Sequence, residues 1–197
     1  MLVYPPDNHS GFDNIPEGSI LAIPSMSPVG RLRAMYVTRL ATAADAPAIA
    51  QLQYQSWRER GIPSDECVES EISDSWKAAI VEQQHRGRVL VTEEDATLVG
   101  FVSIEFVASS KSAILHMLEV EPRHRRRSVG SRLLNASLDV AATMGAETVL
   151  AWVSVSEISA RELLTSSGWA ETGARRTLST GNNSRERDEM EFHTTLI

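Results

Sequence analysis

The sequence has 197 residues, of which 42% are hydrophobic and 23% are charged, as in globular proteins that fold around one sizeable core. Its formal net charge of -7 excludes nonspecific nucleic-acid binding by the whole surface, so any bound anion must meet a local basic patch. The single cysteine, Cys67, excludes an intrachain disulfide and a metal site built on cysteines. Neither a membrane-spanning run nor a secretion signal is evident, which predicts a cytoplasmic protein without a membrane partner.

Residues 1–34 are rich in proline and glycine and sustain no hydrophobic period. This composition predicts a poorly ordered N-terminal extension, followed by one domain over residues 35–197. Because Met35 directly precedes a strong strand pattern, the alternative is that the functional chain begins there.

The first half of this domain is predicted to contain a strand, two helices and three further strands. The strand at Tyr36–Leu40 precedes a helix that opens with Thr42 and Asp45 in a capping-box arrangement. A second helix is expected over about Ser73–His85, after a polar, acidic connection. Short turns make the next three strands antiparallel neighbours. These strands are Arg88–Glu93, Leu98–Val107 and Ser112–Val120.

The second half of the domain begins with a helix over Val129–Met144, which an apolar stripe at helical spacing predicts. The apolar segment Thr148–Val155 is expected to lie parallel to Ser112–Val120, through a right-handed crossover. A short helix at Glu157–Ser166 precedes a final strand pair. That pair is Trp169–Leu178 and Glu189–Leu196. The order predicts a mixed α/β, or α+β, fold with one central and mostly antiparallel sheet flanked by helices.

A cluster of arginines lies between the strand that ends at Val120 and the helix that begins at Val129. Its members are Arg123, Arg125, Arg126, Arg127 and Arg132. Charge alone is more typical of a solvated face or a nucleic-acid patch. This cluster, however, lies where a strand passes into a helix, and the N–H groups and dipole of a helix N-terminus bind pyrophosphate. No further basic stripe accompanies it, so nucleic acid is not the expected partner.

The pattern Val120-Glu121-Pro122, followed by Arg125-x-x-Ser128-x-Gly130, resembles the acyl-CoA signature of the GNAT family of N-acetyltransferases. The resemblance extends over about residues 36–197 and includes LATAADAPAIAQL near the start and ARELLTSSGW near the end. It implies a GNAT-like domain in which the parallel strand pair splays apart and acetyl-CoA lies in the cleft. It also implies an enzyme that transfers acetyl to a primary amine of a small molecule or peptide, by direct attack in a ternary complex and without a metal.

The resemblance also assigns residues to the co-substrate. It places the pyrophosphate on the backbone of residues 125–130 and the pantetheine arm along the end of the Ser112–Val120 strand, like an added strand. Glu157 and Leu164 stand where many members have asparagine and a tyrosine that protonates the leaving thiolate, and Ser128 replaces the first glycine of the signature. The implied cofactor-binding residues are Leu118, Glu119, Val120, Arg125, Arg126, Arg127, Ser128, Val129, Gly130, Ser131, Glu157 and Leu164.

A catalytic base is needed because amines are mostly protonated at neutral pH. The candidates are Glu119, His116 and Glu105. Glu119 and His116 lie on the strand beside the expected thioester, three residues apart, and a regular strand would point them to opposite faces. Each has an ordinary alternative: His116 as a packed or surface histidine, and Glu119 as a solvated strand carboxylate.

The missing tyrosine leaves a second function open, a non-catalytic CoA-binding or regulatory module of the same fold. The acceptor is not encoded in any motif. An acidic run hints at a cationic amine, although such a run is more often a solvated face. Its members are Asp65, Glu66, Glu69, Glu71 and Asp74. The resemblance also allows a homodimer.

Overall fold

The structure, a computed structural model, describes residues 35–60, 69–82, 86–180 and 185–196. The predicted N-terminal extension and Cys67 lie outside these residues. Within them, seven strands form one open sheet in the order β1-β2-β3-β4-β5-β7-β6. The strands are β1 Tyr36–Leu40, β2 Gly87–Glu94, β3 Thr97–Val107, β4 Ser112–Val120, β5 Thr148–Ser154, β6 Ala170–Thr180 and β7 Arg185–Thr195. Among the strands of the described residues, only β4 and β5 pair in parallel, so the predicted mixed α/β fold is confirmed.

Four α-helices flank the sheet in the described part of the chain. They are α1 Ala46–Glu59, α2 Glu69–Glu82, α3 Val129–Thr143 and α4 Ile158–Ser166. The described part of α2 starts at Glu69, four residues before the predicted Ser73. The strand β7 already includes Arg185, before its predicted start at Glu189, because residues 185–188 pair with the end of β6.

The two faces of the sheet carry separate cores. On one face, α1 contributes Ile49 and Leu52, which pack with Phe101 of β3. On the other face, α3 contributes Leu133 and Leu134 to a larger core that also includes α4. Side chains alternate between the faces along each regular strand, so the core that a side chain joins shows which face it occupies.

A bulge in β4 interrupts this alternation at His116. Ser103 lies opposite Met117 and Ile104 lies opposite Leu115, which leaves His116 without a partner in β3. The extra residue reverses which positions face α3: Leu115 faces it before the bulge, and Leu118 faces it afterwards.

The strands β4 and β5 separate beyond their first few residues. They pair only from Ser112 opposite Thr148 to Leu115 opposite Ala151. From His116 to Val120, the side of β4 that faces β5 therefore lacks a strand partner among the described residues. This opening lies beside the N-terminus of α3 and sets the position of the candidate site.

Candidate functional site

The turn that leads into α3 has the backbone of an anion site. Arg126 and Ser128 both adopt left-handed conformations, with φ of 60° and 64°. The backbone N–H groups of residues 126–131 donate to no acceptor in the described part of the chain. Successive N–H groups in such turns converge on one point, and the dipole of α3 adds a partial positive charge there. The turn can therefore hold a phosphate or pyrophosphate group, as the sequence predicts.

His124 anchors this turn to the edge of the sheet. Its Nε2 lies 2.7 Å from Oε2 of Glu94 on β2, and its Nδ1 contacts the carboxylate of Glu121. Its ring also meets the ring of Tyr36 edge-on, with 6.4 Å between the centroids. The hydrogen bond from His124 lowers the pKa of the Glu94 carboxyl. These contacts fix the chain just before the left-handed residues.

Arg125 uses its side chain for structure rather than for an incoming anion. Its Nη2 donates to Oε2 of Glu59 at 2.8 Å, and its Nε donates to the carbonyl of Val120 at 3.1 Å. It therefore ties the end of α1 to the end of β4. The side chains of Arg126 and Arg127 are exposed and form no ion pair within the described residues.

Gly130 and Leu164 mark the packing around the opening. A Cβ atom at Gly130 would lie 3.3 Å from Cδ2 of Leu163, so glycine allows α3 to approach α4 closely. Leu164 is only 4% exposed and packs in the core with Trp169. The Leu164 side chain cannot donate a proton, unlike the tyrosine that many members of the resembled family have at this position.

The free side of β4 presents backbone groups to the opening. Glu121 donates its N–H to the carbonyl of Val99 on β3. Because successive residues of a strand direct their N–H groups to opposite sides, Glu119 also points its N–H toward β3. The N–H groups of Leu118 and Val120 then point into the opening. The N–H group of Leu118 therefore has the direction needed to reach a group bound in the opening.

Glu119 is the most enclosed of the candidate bases. The residue is 8% exposed and lies on the face of the sheet that α1 covers. Ser56 donates its hydroxyl to Oε2 at 2.7 Å, and Arg60 donates to Oε1. Burial raises the pKa of the Glu119 carboxyl above its ordinary value, and the opposing effects of Arg60 and Ser56 do not cancel the rise.

Arg60 connects both sides of the opening. Besides Glu119 on β4, its guanidinium binds Oε1 of Glu157, which precedes α4, through Nη1 at 2.8 Å. Burial alone would lower the pKa of Arg60, but the two carboxylates outweigh burial and raise it. Glu157 therefore holds the Arg60 guanidinium beside Glu119.

His116 and Glu105 form a second pair near the opening. His116 Nε2 lies 2.7 Å from Oε2 of Glu105 on β3. The hydrogen bond from His116 lowers the pKa of the Glu105 carboxyl, which weakens Glu105 as a base. Glu105 alternates with Phe101 and so faces α1 and α2. The prediction that His116 and Glu119 occupy opposite faces is therefore wrong, because the bulge at His116 brings both to the α1 face.

Two residues of this site, Ser56 and Arg60, were not predicted from the sequence. Ser56 carried a usable signal, since it lies on the apolar stripe of α1 and a polar side chain there needs a buried partner. Arg60 carried none, because its partners Glu119 and Glu157 lie far along the chain.

Among the described residues, no three His, Cys, Asp or Glu side chains are placed to hold a metal ion together. No helix in the same parts of the chain is long and apolar enough to cross a membrane.

Comparisons with known proteins agree with this geometry. The model of the acetyltransferase (GNAT) family matches residues 47–169, and no curated protein matches significantly. Among solved structures, the chain is similar to YncA from Salmonella typhimurium, solved with its cofactor acetyl-CoA, at 21% identity and a TM-score of 0.66, covering 82% of this chain and 94% of that one.

Two further structures share the fold. The ribosomal-protein-alanine N-acetyltransferase from Brucella melitensis is 23% identical with a TM-score of 0.67, over 81% of this chain and 99% of that chain. The PaiA N-acetyltransferase from Thermoplasma acidophilum, solved with coenzyme A, is 18% identical with a TM-score of 0.61, over 82% and 99%.

Proposed function

The chain belongs to the GNAT family of acetyltransferases, and we propose that it transfers the acetyl group of acetyl-CoA to a primary amine of a small molecule or peptide. The observation that carries the proposal is the opening between β4 and β5. There, backbone groups of Leu118 and Val120 and the N–H groups of residues 126–131 have no partner among the described residues. A thioester with a long amide-containing arm and a pyrophosphate matches both parts of this surface.

In the proposed complex, the pantetheine amides pair with Leu118 and Val120, and the pyrophosphate binds residues 125–130 with Ser131 beside it. The structures of YncA with acetyl-CoA and of PaiA with coenzyme A support this choice of donor. Glu157 lies across the opening from Glu119, with Arg60 between them. Arg60 therefore must keep both carboxylates compensated while the thioester lies close to them.

The proposed chemistry is direct attack by the amine nitrogen on the thioester carbonyl. The new C–N bond forms, the N–H group of Leu118 stabilises the oxyanion, and the C–S bond then breaks to release the CoA thiolate. The proton of the amine passes to Glu119, directly or through water. Water protonates the thiolate, because Leu164 cannot donate a proton. The thiolate of a thiol with a pKa of about 8.5 leaves readily without a general acid.

Glu119 is the base that the geometry favours. A carboxylate whose pKa is raised by burial accepts a proton more readily at neutral pH than an ordinary carboxylate. Glu105 has the opposite shift, because its pKa is lowered by His116. His116 lies on the same face and is the second candidate.

A non-catalytic CoA-binding module remains the alternative function, and the compensated charge of Glu119 beside Arg60 is the observation in its favour. Isothermal titration with acetyl-CoA tests the shared part of both functions, and no binding at millimolar concentration would sink both. Thiol release over a panel of amines then separates them. Turnover of at least one amine supports the enzyme, whereas binding without turnover supports the module. A cytoplasmic location and a homodimer stay predictions.

A further inference from the structure

A second buried carboxylate lies in the C-terminal half of the sheet, outside the site described above. Glu189 on β7 is only 1% exposed. Arg176 on β6 donates to its Oε2 through Nε at 2.7 Å and Nη2 at 2.6 Å. Arg187, two residues before Glu189, donates to Oε1 through Nε at 2.9 Å and through Nη2. Each carboxylate oxygen of Glu189 thus accepts two hydrogen bonds from one guanidinium, Oε2 from Arg176 and Oε1 from Arg187.

This arrangement leaves donors available on both arginines. A guanidinium has five N–H groups, and the edge formed by Nε and Nη2 is used on Glu189. The end formed by Nη1 and the second Nη2 hydrogen contacts no acceptor within the described residues, in Arg176 or in Arg187. Both side chains are about two-fifths exposed, at 43% and 39%. A planar oxyanion binds such an end with two hydrogen bonds.

Trp152 on β5 packs beneath the Arg176 guanidinium. The guanidinium carbon of Arg176 lies 4.3 Å from the centre of a Trp152 ring, which is the geometry of a cation–π contact. The ring and the buried carboxylate together hold Arg176 in one orientation. A guanidinium that is held in place loses little side-chain entropy when it binds a ligand.

The cluster lies on the same face of the sheet as Glu119. Val149, Ala151 and Val153 face the core under α3 and α4, so Trp152 faces the opposite side. Trp152 follows Ala151, the last residue of β5 that pairs with β4. Glu189 lies opposite Ser154, at the end of β5. Arg176, which contacts Trp152 at the end of the paired part of β5, and Arg187 therefore lie on the same face of the sheet as Glu119, the proposed base.

We infer that the acceptor amine carries a carboxylate or similar oxyanion, which Arg176 and Arg187 bind beside Trp152. The inference rests on the proposed acetyl transfer and names its substrate class. It differs from the cationic acceptor that the acidic run suggested. The members of that run that the structure describes, Glu69, Glu71 and Asp74, are exposed on α2.

The alternative is that the cluster only joins β6 to β7. A merely structural cluster would have no influence on which amine is used. The test therefore compares amino acids with their carboxamides, which keep the amine and side chain but lack the negative charge. The full chain is assayed for CoA thiol release with both sets, and kcat and KM are measured separately.

The expected result is a higher kcat/KM for the acids than for the amides. Arg176→Gln and Arg187→Gln should each raise KM for the acids roughly ten- to a hundredfold, with little change for the amides. Arg175→Gln is the matched control. Arg175 is exposed, pairs with Glu171 and lies opposite Met190, so it faces the other side of the sheet.

Titration of every variant with acetyl-CoA reports on the fold independently of the acceptor. If the glutamine variants lose acetyl-CoA binding, Arg176→Lys and Arg187→Lys replace them in the test. Lysine keeps the positive charge but cannot donate two parallel hydrogen bonds, so an intermediate KM for the acids is expected. Equal use of acids and amides, use of amides alone, or the same KM in the Arg176 and Arg175 variants overturns the inference while acetyl transfer stands. Acetyl-CoA binding with no turnover of any amine instead removes the proposed enzyme, and the inference with it.

Discussion

The guanidinium of Arg60 pairs with the carboxylate of Glu119 at the place where β4 and β5 separate. Arg60 directly follows α1, so this ion pair couples the end of a helix to the centre of the candidate site. Burial raises the pKa of the Glu119 carboxyl, whereas Arg60 and the hydrogen bond from Ser56 lower it. In the proposed mechanism, this net rise suits Glu119 to accept a proton from the amine near neutral pH.

Replacing Arg60 should move the pH dependence of catalysis. In Arg60→Gln the lowering effect is lost, so the pKa of Glu119 rises further and the acidic limb of the kcat/KM profile moves to higher pH. Arg60→Lys keeps the charge and should move the limb less. Arg58→Gln is the control, because Arg58 is an exposed arginine in the last turn of α1. An acidic limb at the same pH in Arg60→Gln and Arg58→Gln would contradict a base role for Glu119.

Replacing Glu119 itself should remove the base while leaving donor binding intact. Glu119→Gln is expected to lower kcat/KM roughly a hundredfold, the usual contribution of a positioned general base. Acetyl-CoA affinity should change little, because the side chain faces α1 and only the neighbouring backbone groups face the opening. His116→Gln serves as the comparison. A larger loss in His116→Gln than in Glu119→Gln would transfer the role to the histidine.

Ser128 is expected to be a less stable choice than glycine. Its φ of 64° lies in the left-handed region, where a side chain is strained and glycine is not. Ser128→Gly should therefore raise the free energy of unfolding by about 0.5–1 kcal/mol, measured by urea denaturation, without weakening acetyl-CoA binding. Ser131→Gly, inside α3, should lower it by a similar amount. Destabilisation in both variants would show that Ser128 makes a compensating contact.

Asp45 should contribute stability that depends on pH. Arg39 donates to both carboxylate oxygens at 2.8 Å, which lowers the pKa of Asp45 below its ordinary value of 3.8, although burial opposes the shift. A carboxyl with a lowered folded-state pKa stabilises the fold above its unfolded-state pKa, and this contribution is lost as the pH falls through the folded-state pKa.

Asp45→Asn should therefore lower the free energy of unfolding by about 1 kcal/mol at pH 7. The difference from the original chain should shrink as the pH falls below 3.8. Urea denaturation from pH 7 down to pH 3 measures both. The exposed Asp139 on α3 provides the control, because Asp139→Asn removes a charge without an ion pair in the described chain. A constant difference over this pH range would rule out the ion pair as its cause.

The elements with a strong hydrophobic period could be predicted closely from the sequence. The bounds of β1 and β4 agree with their predictions, and α3 ends within one residue of its predicted end. The bulge at His116 could not be predicted, because an inserted residue leaves the composition of a strand unchanged and shows itself only in the pairing with β3.

Within the candidate site, too, local features could be predicted from the sequence and long-range contacts could not. The turn at residues 125–130 could be proposed as an anion site from the sequence because its signature is local. The pairing of Arg60 with Glu119 joins residues 59 positions apart, and the pairing of Arg176 with Glu189 joins two neighbouring strands. Such contacts depend on how elements pack, and a charged residue near an element end has many exposed alternatives in the sequence.

The turn before α3 should bind acetyl-CoA partly through the positive charge of Arg126 and Arg127. Both side chains are exposed, so the double variant Arg126→Glu/Arg127→Glu should fold normally. Glutamate at position 126 replaces another residue with a side chain, so the strain of the left-handed backbone there is unchanged. Two negative charges beside the pyrophosphate should raise the Kd for acetyl-CoA roughly ten- to a hundredfold in calorimetry. High salt should reduce the difference by screening. Arg123→Glu is the control, because Arg123 is exposed and precedes the turn. Equal losses of affinity in the two proteins would mean that the pyrophosphate binds elsewhere.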